Sequence, residues 1–167
     1  MSTHLLVALS PILIVALGAL ALMLAEAFSR LRNEAQESPS ASLSTGSAIV
    51  LLAAFTATMG VWMVGPENLP GAVALAPWLL IDRFSLFFFA LLTLGAMLTV
   101  LYAGGYLPEH KLDRGEVYPL VLLATAGAMA LSAAGDLLTL VIGLETMSLG
   151  VYGMVAFRRG STRSIEA

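Results

Sequence analysis

Long apolar runs separated by short polar segments dominate the chain. A helix needs roughly 20 apolar residues to cross a hydrocarbon core of about 30 Å. Apolar side chains lie all round each run rather than along one stripe, which is typical of membrane spans. Backbone groups in lipid must be hydrogen-bonded internally. The pattern therefore predicts an all-α membrane protein with five transmembrane helices, over about 5–28, 46–64, 84–106, 117–134 and 137–157.

The segments between the runs carry the residue types of loops. Residues 29–47 are polar and Ser-rich, residues 65–77 hold three prolines and two glycines, and residues 107–116 are charged. Only the short turn "AAGD" separates the fourth run from the fifth. Its last residue, Asp136, is placed to N-cap the fifth helix, with the carboxylate at the positive end of the helix dipole.

Lysine and arginine are distributed unevenly between the two sides of the predicted bundle. Cytoplasmic loops of membrane proteins carry an excess of these residues. If the N-terminus lies outside, seven of them fall on cytoplasmic segments and one, Arg83, falls outside. The sequence thus predicts an outer N-terminus and a cytoplasmic C-terminus. The seven are Arg30, Arg32, Lys111, Arg114, Arg158, Arg159 and Arg163.

Composition supports a membrane protein and excludes several classes of site. The hydrophobic fraction is 59% and the charged fraction 11%, against roughly 45–50% and about 25% in soluble domains. A chain of 167 residues is too small to bury so much apolar surface in water. The absence of cysteine excludes disulfides and thiolate-held metals. The net charge of −3 and the lack of a basic patch argue against nucleic acid as a partner.

One carboxyl lies deep in an apolar run. Glu145 falls about 3 Å from the midpoint of the fifth run at 1.5 Å rise per residue. An ionised carboxylate there costs several kcal/mol, so it must be neutral, paired or hydrated. Burial favours the neutral form and a nearby cation favours the ionised form. A carboxyl between these influences can exchange protons near neutral pH, as a proton relay requires.

Two hydroxyls accompany this carboxyl. Ser148 and Tyr152 follow Glu145 at i+3 and i+7, on roughly the same helix face, and predict a polar seam toward the cytoplasmic side. The alternative is that Glu145 hydrogen-bonds to a neighbouring helix only to hold the assembly together. No Lys or Arg lies within the five runs. A cationic partner for Glu145 must therefore come from another chain or from further sequence.

Other polar and small residues near the runs suggest structural roles. Glu26 and Arg30, one turn apart, predict an interfacial pair that extends outward to water. Asp82 and Arg83 predict an anchor or cap at the start of the third helix. Small residues at helical spacing predict close helix packing. These small residues are Ala126, Ala130 and Ala134 in the fourth run and Gly143, Gly150 and Gly153 in the fifth.

The stretch "GDLLTLVIGLETMSLGVYGMVAF", followed by "RRGSTRSIEA", strongly resembles subunit N of bacterial NADH-quinone oxidoreductase, the respiratory complex I. "IDRFSLFFFALLTLGAMLTVLYAGGYL" is similar to the third helix of that family. The resemblance covers most of residues 78–167. Leu144 stands where the sister subunits L and M usually carry Trp, which favours subunit N.

The resemblance implies a role for Glu145. Family members carry a membrane-embedded glutamate on the fifth helix, opposite a lysine on the seventh, and these groups take part in proton translocation coupled to quinone reduction. Glu145 matches the glutamate position. On this basis residues 1–116 are expected to form three N-terminal helices. Residues 117–167 would then begin an antiporter-like repeat that stops before helix six, so an N-terminal fragment in the cell inner membrane is expected.

The resemblance also implies partners and cofactors. The partners are other membrane subunits of complex I, in particular antiporter-like neighbours, and the lipid bilayer. NAD, FMN, iron–sulfur clusters and quinone are expected in other subunits and none in this chain. A subunit of a related cation/proton antiporter or of a membrane-bound hydrogenase is an alternative. A structural or assembly membrane protein, in which Glu145 only joins helices, is an alternative from another class.

Overall fold

Five α-helices and one short 3₁₀ turn make up the described part of the chain. The computed structural model describes residues 2–32, 40–69, 75–109 and 115–156. The described part contains no β-strand, only a single antiparallel bridge. The predicted all-α fold is confirmed. The helices are α1 (Ser2–Arg32), α2 (Ser40–Val64), α3 (Arg83–Glu109), α4 (Val117–Ser132) and α5 (Leu137–Val155), and the 3₁₀ turn is Pro66–Asn68.

Four of the helices are long and apolar enough to cross a membrane, and α4 is shorter. The four are α1, α2, α3 and α5, so a multi-pass membrane protein is confirmed. With 16 residues, α4 is about 24 Å long, whereas the fourth run predicted a full span. It packs against all four other helices, and none of its residues is exposed. Because protein covers α4, its length need not match the lipid thickness.

Helices α4 and α5 touch backbone to backbone. A Cβ built at Gly143 would lie 2.7 Å from the backbone nitrogen of Leu131, and one at Gly150 would lie 2.8 Å from that of Ala124. A Cβ at Gly127 would overlap the backbone nitrogen of Met147. The predicted contact role of the α5 glycines is confirmed. No other helix packs extensively against α5 within the described residues.

The α4 residues that lie against the α5 glycines differ from the small residues singled out in the fourth run. Leu120, Ala124, Gly127 and Leu131 form the row that faces the α5 glycines, spaced at i, i+4, i+7 and i+11 along one helix face. Ala126 belongs to the buried core cluster. Ala134 lies beyond the end of α4. Helical spacing predicts that small residues pack closely, but it does not predict which helix each face meets. The face of α4 that contacts α5 is the one that contains Gly127.

Both predicted caps are present. The backbone N–H of Thr139 donates to Oδ1 of Asp136 over 2.8 Å at the start of α5. Hydrogen bonds from the Thr139 side chain and then from its backbone lower the pKa of Asp136 below its ordinary value of 3.8. At the start of α3, the backbone N–H of Ser85 donates to Oδ1 of Asp82 over 2.8 Å, and Ser85 Oγ accepts from the Asp82 backbone over 2.9 Å.

Arg83 is the basic residue that the charge distribution places on the outer side of the bundle. Arg83 donates to Oε1 of Glu67 over 2.8 Å, and both side chains are more than half exposed. This ion pair lowers the pKa of Glu67. The side chains of the other seven Lys and Arg residues lie outside the described part of the chain. The orientation of the bundle therefore stays a prediction.

Gly143→Ala tests the contact between α4 and α5. We expect the new methyl to push α5 away from the backbone of Leu131 and to lower the free energy of unfolding in mixed detergent micelles by about 1–2 kcal/mol, the overpacking cost less the helix preference of Ala. The matched control is Gly95→Ala in α3, where no atom lies within 4 Å of the added Cβ. The control should be neutral or stabilising. Equal stability of Gly143→Ala and the unmodified chain would contradict the contact.

Asp136→Ala tests the cap of α5 through its pH dependence. The pKa of Asp136 is lower in the folded chain than when unfolded, so its stabilisation is present above the unfolded value. That stabilisation is lost as the pH falls through the folded value. We therefore expect the variant to unfold at a lower temperature at pH 7 and to approach the unmodified chain as the pH falls well below 3.8. Circular dichroism melting curves give the comparison. A difference that persists undiminished at the lowest pH would rule out the cap as its source.

Candidate functional site

Glu145 lies at the middle of α5 and points away from the bundle. The centre of Leu137–Val155 is residue 146, so Glu145 is about 1.5 Å from mid-helix along the axis. It is two residues from Gly143, which corresponds to a rotation of about 200° round the helix. Because Gly143 and Gly150 face α4, Glu145 lies on the opposite face, and its side chain is exposed.

Ser148 and Tyr152 lie on the same outward side as Glu145. They are rotated about 60° and about 20° from it round the axis. Ser148 is half-buried, and Tyr152 is 63% exposed. Among the described residues, no side-chain hydrogen bond joins these three groups and no cation pairs with Glu145. The structure thus places the predicted seam on one face without connecting its members.

Among the spans that the structure describes, the one that carries Glu145 is the least buried. Only 11% of the α5 span is buried, against 22–28% for the other three spans. Leu138, Val141 and Leu149 surround the carboxyl on this face and are exposed. A carboxylate amid exposed leucine and valine side chains is costly in contact with lipid. An ionised carboxyl at this depth would therefore require an additional polar or cationic element, or a hydrated cavity, facing α5.

A second carboxyl, Glu26, is buried where the sequence predicted an outward pair. Its side chain is 4% exposed, so the prediction that it extends to water is wrong. The side chain of Arg30, its predicted partner, lies outside the described residues. A Cβ at Gly115 would lie 2.7 Å from Oε2 of Glu26. Because glycine has no side chain, position 115 leaves room for the Glu26 carboxylate.

Beside Glu26 lies a cavity of about 360 Å³ between α1 and the start of α4. Its lining is mostly apolar and includes Met23, Ala27, Pro119 and Leu120, with Glu116 as a second acidic residue. No sequence pattern predicts this cavity, because it depends on which helix lies opposite α1. Within the ranges that the structure describes, no three His, Asp or Glu side chains come together in a way that would hold a metal ion.

Comparison with known proteins places this helical bundle in context. No protein-family model matches the chain. NADH-quinone oxidoreductase subunit N 1 of Sorangium cellulosum is 54% identical over 164 residues, which are 96% of this chain and 32% of the relative. Subunit N of Trichlorobacter lovleyi is 40% identical over 87 residues, and subunit N of Desulfitobacterium hafniense is 43% identical over 86 residues. These two matches cover 52% of this chain and 18% and 17% of the relatives.

The matches agree with the fold. The chain spans about a third of the length of the Sorangium relative (32%) and less of the others. The match to the Sorangium protein extends over nearly the whole chain, including α1 and α2, where the sequence pattern alone indicated only membrane spans. Glu145, the exposed carboxyl at the middle of α5, lies in residues 135–157, the stretch that resembles subunit N. The chain belongs to the subunit N family of NADH-quinone oxidoreductases.

Proposed function

We propose that the chain works in the membrane module of an NADH-quinone oxidoreductase, where Glu145 binds and releases a proton within the membrane while the complex transfers electrons from NADH to quinone. The names of its relatives support the oxidoreductase. The observation that carries the role of Glu145 is its position, at the middle of α5 on the face that the described helices leave uncovered. The outer N-terminus and cytoplasmic C-terminus belong to this proposal.

The geometry suits a proton-binding group more than a purely packing one. The helix backbone that carries Glu145 packs against α4 through the glycines, so the face of α5 that carries the carboxyl is fixed. A carboxyl in an apolar setting favours its neutral form. When a cation on a covering element approaches, the ionised form is favoured and the proton leaves. Movement of that cation would thus drive uptake and release.

Ser148 and Tyr152 are proposed as supports of proton transfer toward the C-terminal end of α5. They lie about 4.5 Å and about 10.5 Å along the axis from Glu145. A hydrogen bond spans only about 3 Å between heavy atoms. Proton transfer along this face therefore needs bridging water or groups supplied by the covering element. The two hydroxyls would donate and accept hydrogen bonds between these bridging groups.

The division of work with other subunits follows from the chemistry that the chain lacks. Without cysteine it cannot ligate an iron–sulfur cluster through thiolates. On the resemblance to subunit N, we propose that NAD, FMN, the clusters and quinone belong to other subunits, with antiporter-like membrane subunits as neighbours. Residues 1–116 would serve as the N-terminal three-helix part and residues 117–167 as the beginning of the translocating repeat.

Two other functions make different demands on Glu145. In a cation/proton antiporter or a membrane-bound hydrogenase, Glu145 would serve a similar relay with a different energy source. The names of the relatives favour the oxidoreductase over both. In a structural or assembly protein, Glu145 would only hydrogen-bond to a covering helix. That role predicts loss of assembly, rather than loss of proton transfer, when the carboxyl is changed.

Glu145→Gln separates these roles, because the amide keeps the shape and hydrogen bonds of the side chain but cannot release a proton. We expect proton pumping, measured by dye quenching in membrane vesicles that oxidise NADH, to fall by about 10²-fold, the contribution typical of a positioned proton-transfer group. The complex should still assemble, as shown by native gels.

The matched control is Glu67→Gln, which removes an exposed carboxyl in the 3₁₀ turn after α2. It should pump normally. Normal pumping by Glu145→Gln would exclude the relay. Loss of the assembled complex in Glu145→Gln, with Glu67→Gln intact, would instead favour the structural role.

Ser148→Ala and Tyr152→Phe test the supporting hydroxyls. Because bridging groups can partly replace one station, we expect each to lower the pumping rate by roughly 3–30-fold, less than the relay itself. Combined with Glu145→Gln, neither should lower pumping further, since groups on one route are not additive. Thr146→Val is the control, because the Thr146 hydroxyl already donates to the carbonyl of Ile142 over 2.8 Å. Additive losses would place the hydroxyls on a separate route.

A further inference from the structure

A short extended segment before α3 is hydrogen-bonded to the turn between α4 and α5. The backbone N–H of Leu80 donates to the carbonyl of Ala133 over 2.8 Å, and that of Gly135 donates to the carbonyl of Trp78 over 2.8 Å. Leu79 and Ala134 pair between these bonds as an antiparallel bridge. We call residues 78–80 the strap. The strap joins a loop that is remote in sequence to the residues that lead into α5.

The strap can lie this close to the α4–α5 turn only because residue 135 is glycine. A Cβ built at Gly135 would overlap the carbonyl oxygen of Pro77 and would lie 3.0 Å from Cγ of Leu80. Any side chain at Gly135 would therefore displace the strap or the turn. Gly135 immediately precedes Asp136, which caps α5. A displaced turn would in consequence shift the first residue of the helix.

The strap acts on a helix with few other restraints. Among the described helices, α5 packs extensively only against α4. Its rotation is set by the contacts of Gly143 and Gly150 with the α4 backbone. A smooth glycine contact does not by itself prevent sliding along the axis, whereas two hydrogen bonds at the start of the helix do. The two contacts thus restrain different motions of α5.

We infer that the strap, together with Gly135, is a positioning element that fixes the depth of α5 and thereby the depth of Glu145 in the membrane. The strap touches neither Glu145 nor any reacting group, and it acts through the backbone of the turn and the helix that follows. The inference about depth stands on the contacts alone. Its consequence for proton transfer rests on the proposed function.

The first experiment measures the depth directly. The chain has no cysteine, so Glu145→Cys gives a single site for a nitroxide label in the chain reconstituted in phosphatidylcholine vesicles. Accessibility to oxygen and to a water-soluble nickel chelate reports the depth of the label. We expect Gly135→Ala to shift it by at least about 1.5 Å, one residue of helix rise. Gly60→Ala in α2, where no atom lies within 4 Å of the added Cβ, is the matched control and should leave it unchanged.

An unchanged depth in Gly135→Ala would overturn the inference. If Gly135→Ala fails to fold, a second variant decides. Leu79→Cys combined with Ala134→Cys places two thiols at a bridge position flanked by hydrogen bonds, where the Cα atoms of a non-hydrogen-bonded pair lie about 4.5 Å apart, within the range of disulfides. We expect copper phenanthroline to cross-link them in the folded chain. Failure to cross-link would overturn the inference.

The link to proton transfer is measured in vesicles that contain the assembled complex. A misplacement of about 1 Å can lower a rate by about 10²-fold, so we expect Gly135→Ala to lower pumping by at least about threefold without loss of assembly. Gly135→Ala combined with Glu145→Gln should pump no less than Glu145→Gln alone, because both changes act through one group. An additive loss would overturn positioning through Glu145.

The outcomes separate the two proposals. If Glu145→Gln pumps normally, the proposed function fails, while the label depth and the cross-link still decide whether the strap sets the position of α5. If the label depth is insensitive to Gly135→Ala, the strap inference fails, while the pumping of Glu145→Gln still decides the role of the carboxyl.

Discussion

The direct backbone contact between α4 and α5 is the interaction on which the rest of this structure depends. Lipid offers no hydrophobic driving force for two apolar helices to associate, so close van der Waals contact must hold them together. Glycines on both helices supply that contact, since a Cβ at Gly127 or Gly143 would lie within 3 Å of the opposing backbone. The contact decides which face of α5 is covered and, by exclusion, which face carries Glu145.

A helix held along one narrow face leaves a wide surface for another partner. On α5 that surface is mostly apolar, and Glu145 is the charged residue within it. In water such a surface would favour aggregation. In a membrane, the apolar part of this surface has no hydrophobic preference for protein over lipid. Only the carboxyl favours a polar neighbour over lipid. The choice of neighbour at this face therefore depends on one side chain more than on shape.

Much of the fold could be predicted from the sequence, because membrane spans require long uninterrupted apolar runs. The five helices, the cap by Asp136 and the glycine contacts of α5 all follow from local pattern. Three features could not be predicted in this way. The burial of Glu26 depends on Gly115, the row facing α5 depends on which helix is opposite, and the bridge of Leu79 to Ala134 joins residues far apart in sequence.

The candidate site was predictable in part. The depth of Glu145 and the cost of its charge follow from its position in an apolar run, whereas its outward direction follows from the contacts of Gly143 and Gly150 with α4. The lack of hydrogen bonds among Glu145, Ser148 and Tyr152 within the described residues could not be foreseen, because helical spacing places side chains on one face without bringing their atoms within bonding distance. The cavity beside Glu26 required the packed structure.

The short length of α4 has a consequence for the membrane itself. A helix of about 24 Å surrounded by longer helices ends about 3 Å short of each boundary of a hydrocarbon core of about 30 Å. The turn between α4 and α5 therefore lies within the depth of the hydrocarbon core. Irregular backbone at such depth is tolerated only where protein or water satisfies it, and the bonds between residues 78–80 and the α4–α5 turn meet that demand on one side. At the other end of α4, the cavity of about 360 Å³ lined by Glu26 and Glu116 has room for water that can satisfy polar groups at this depth.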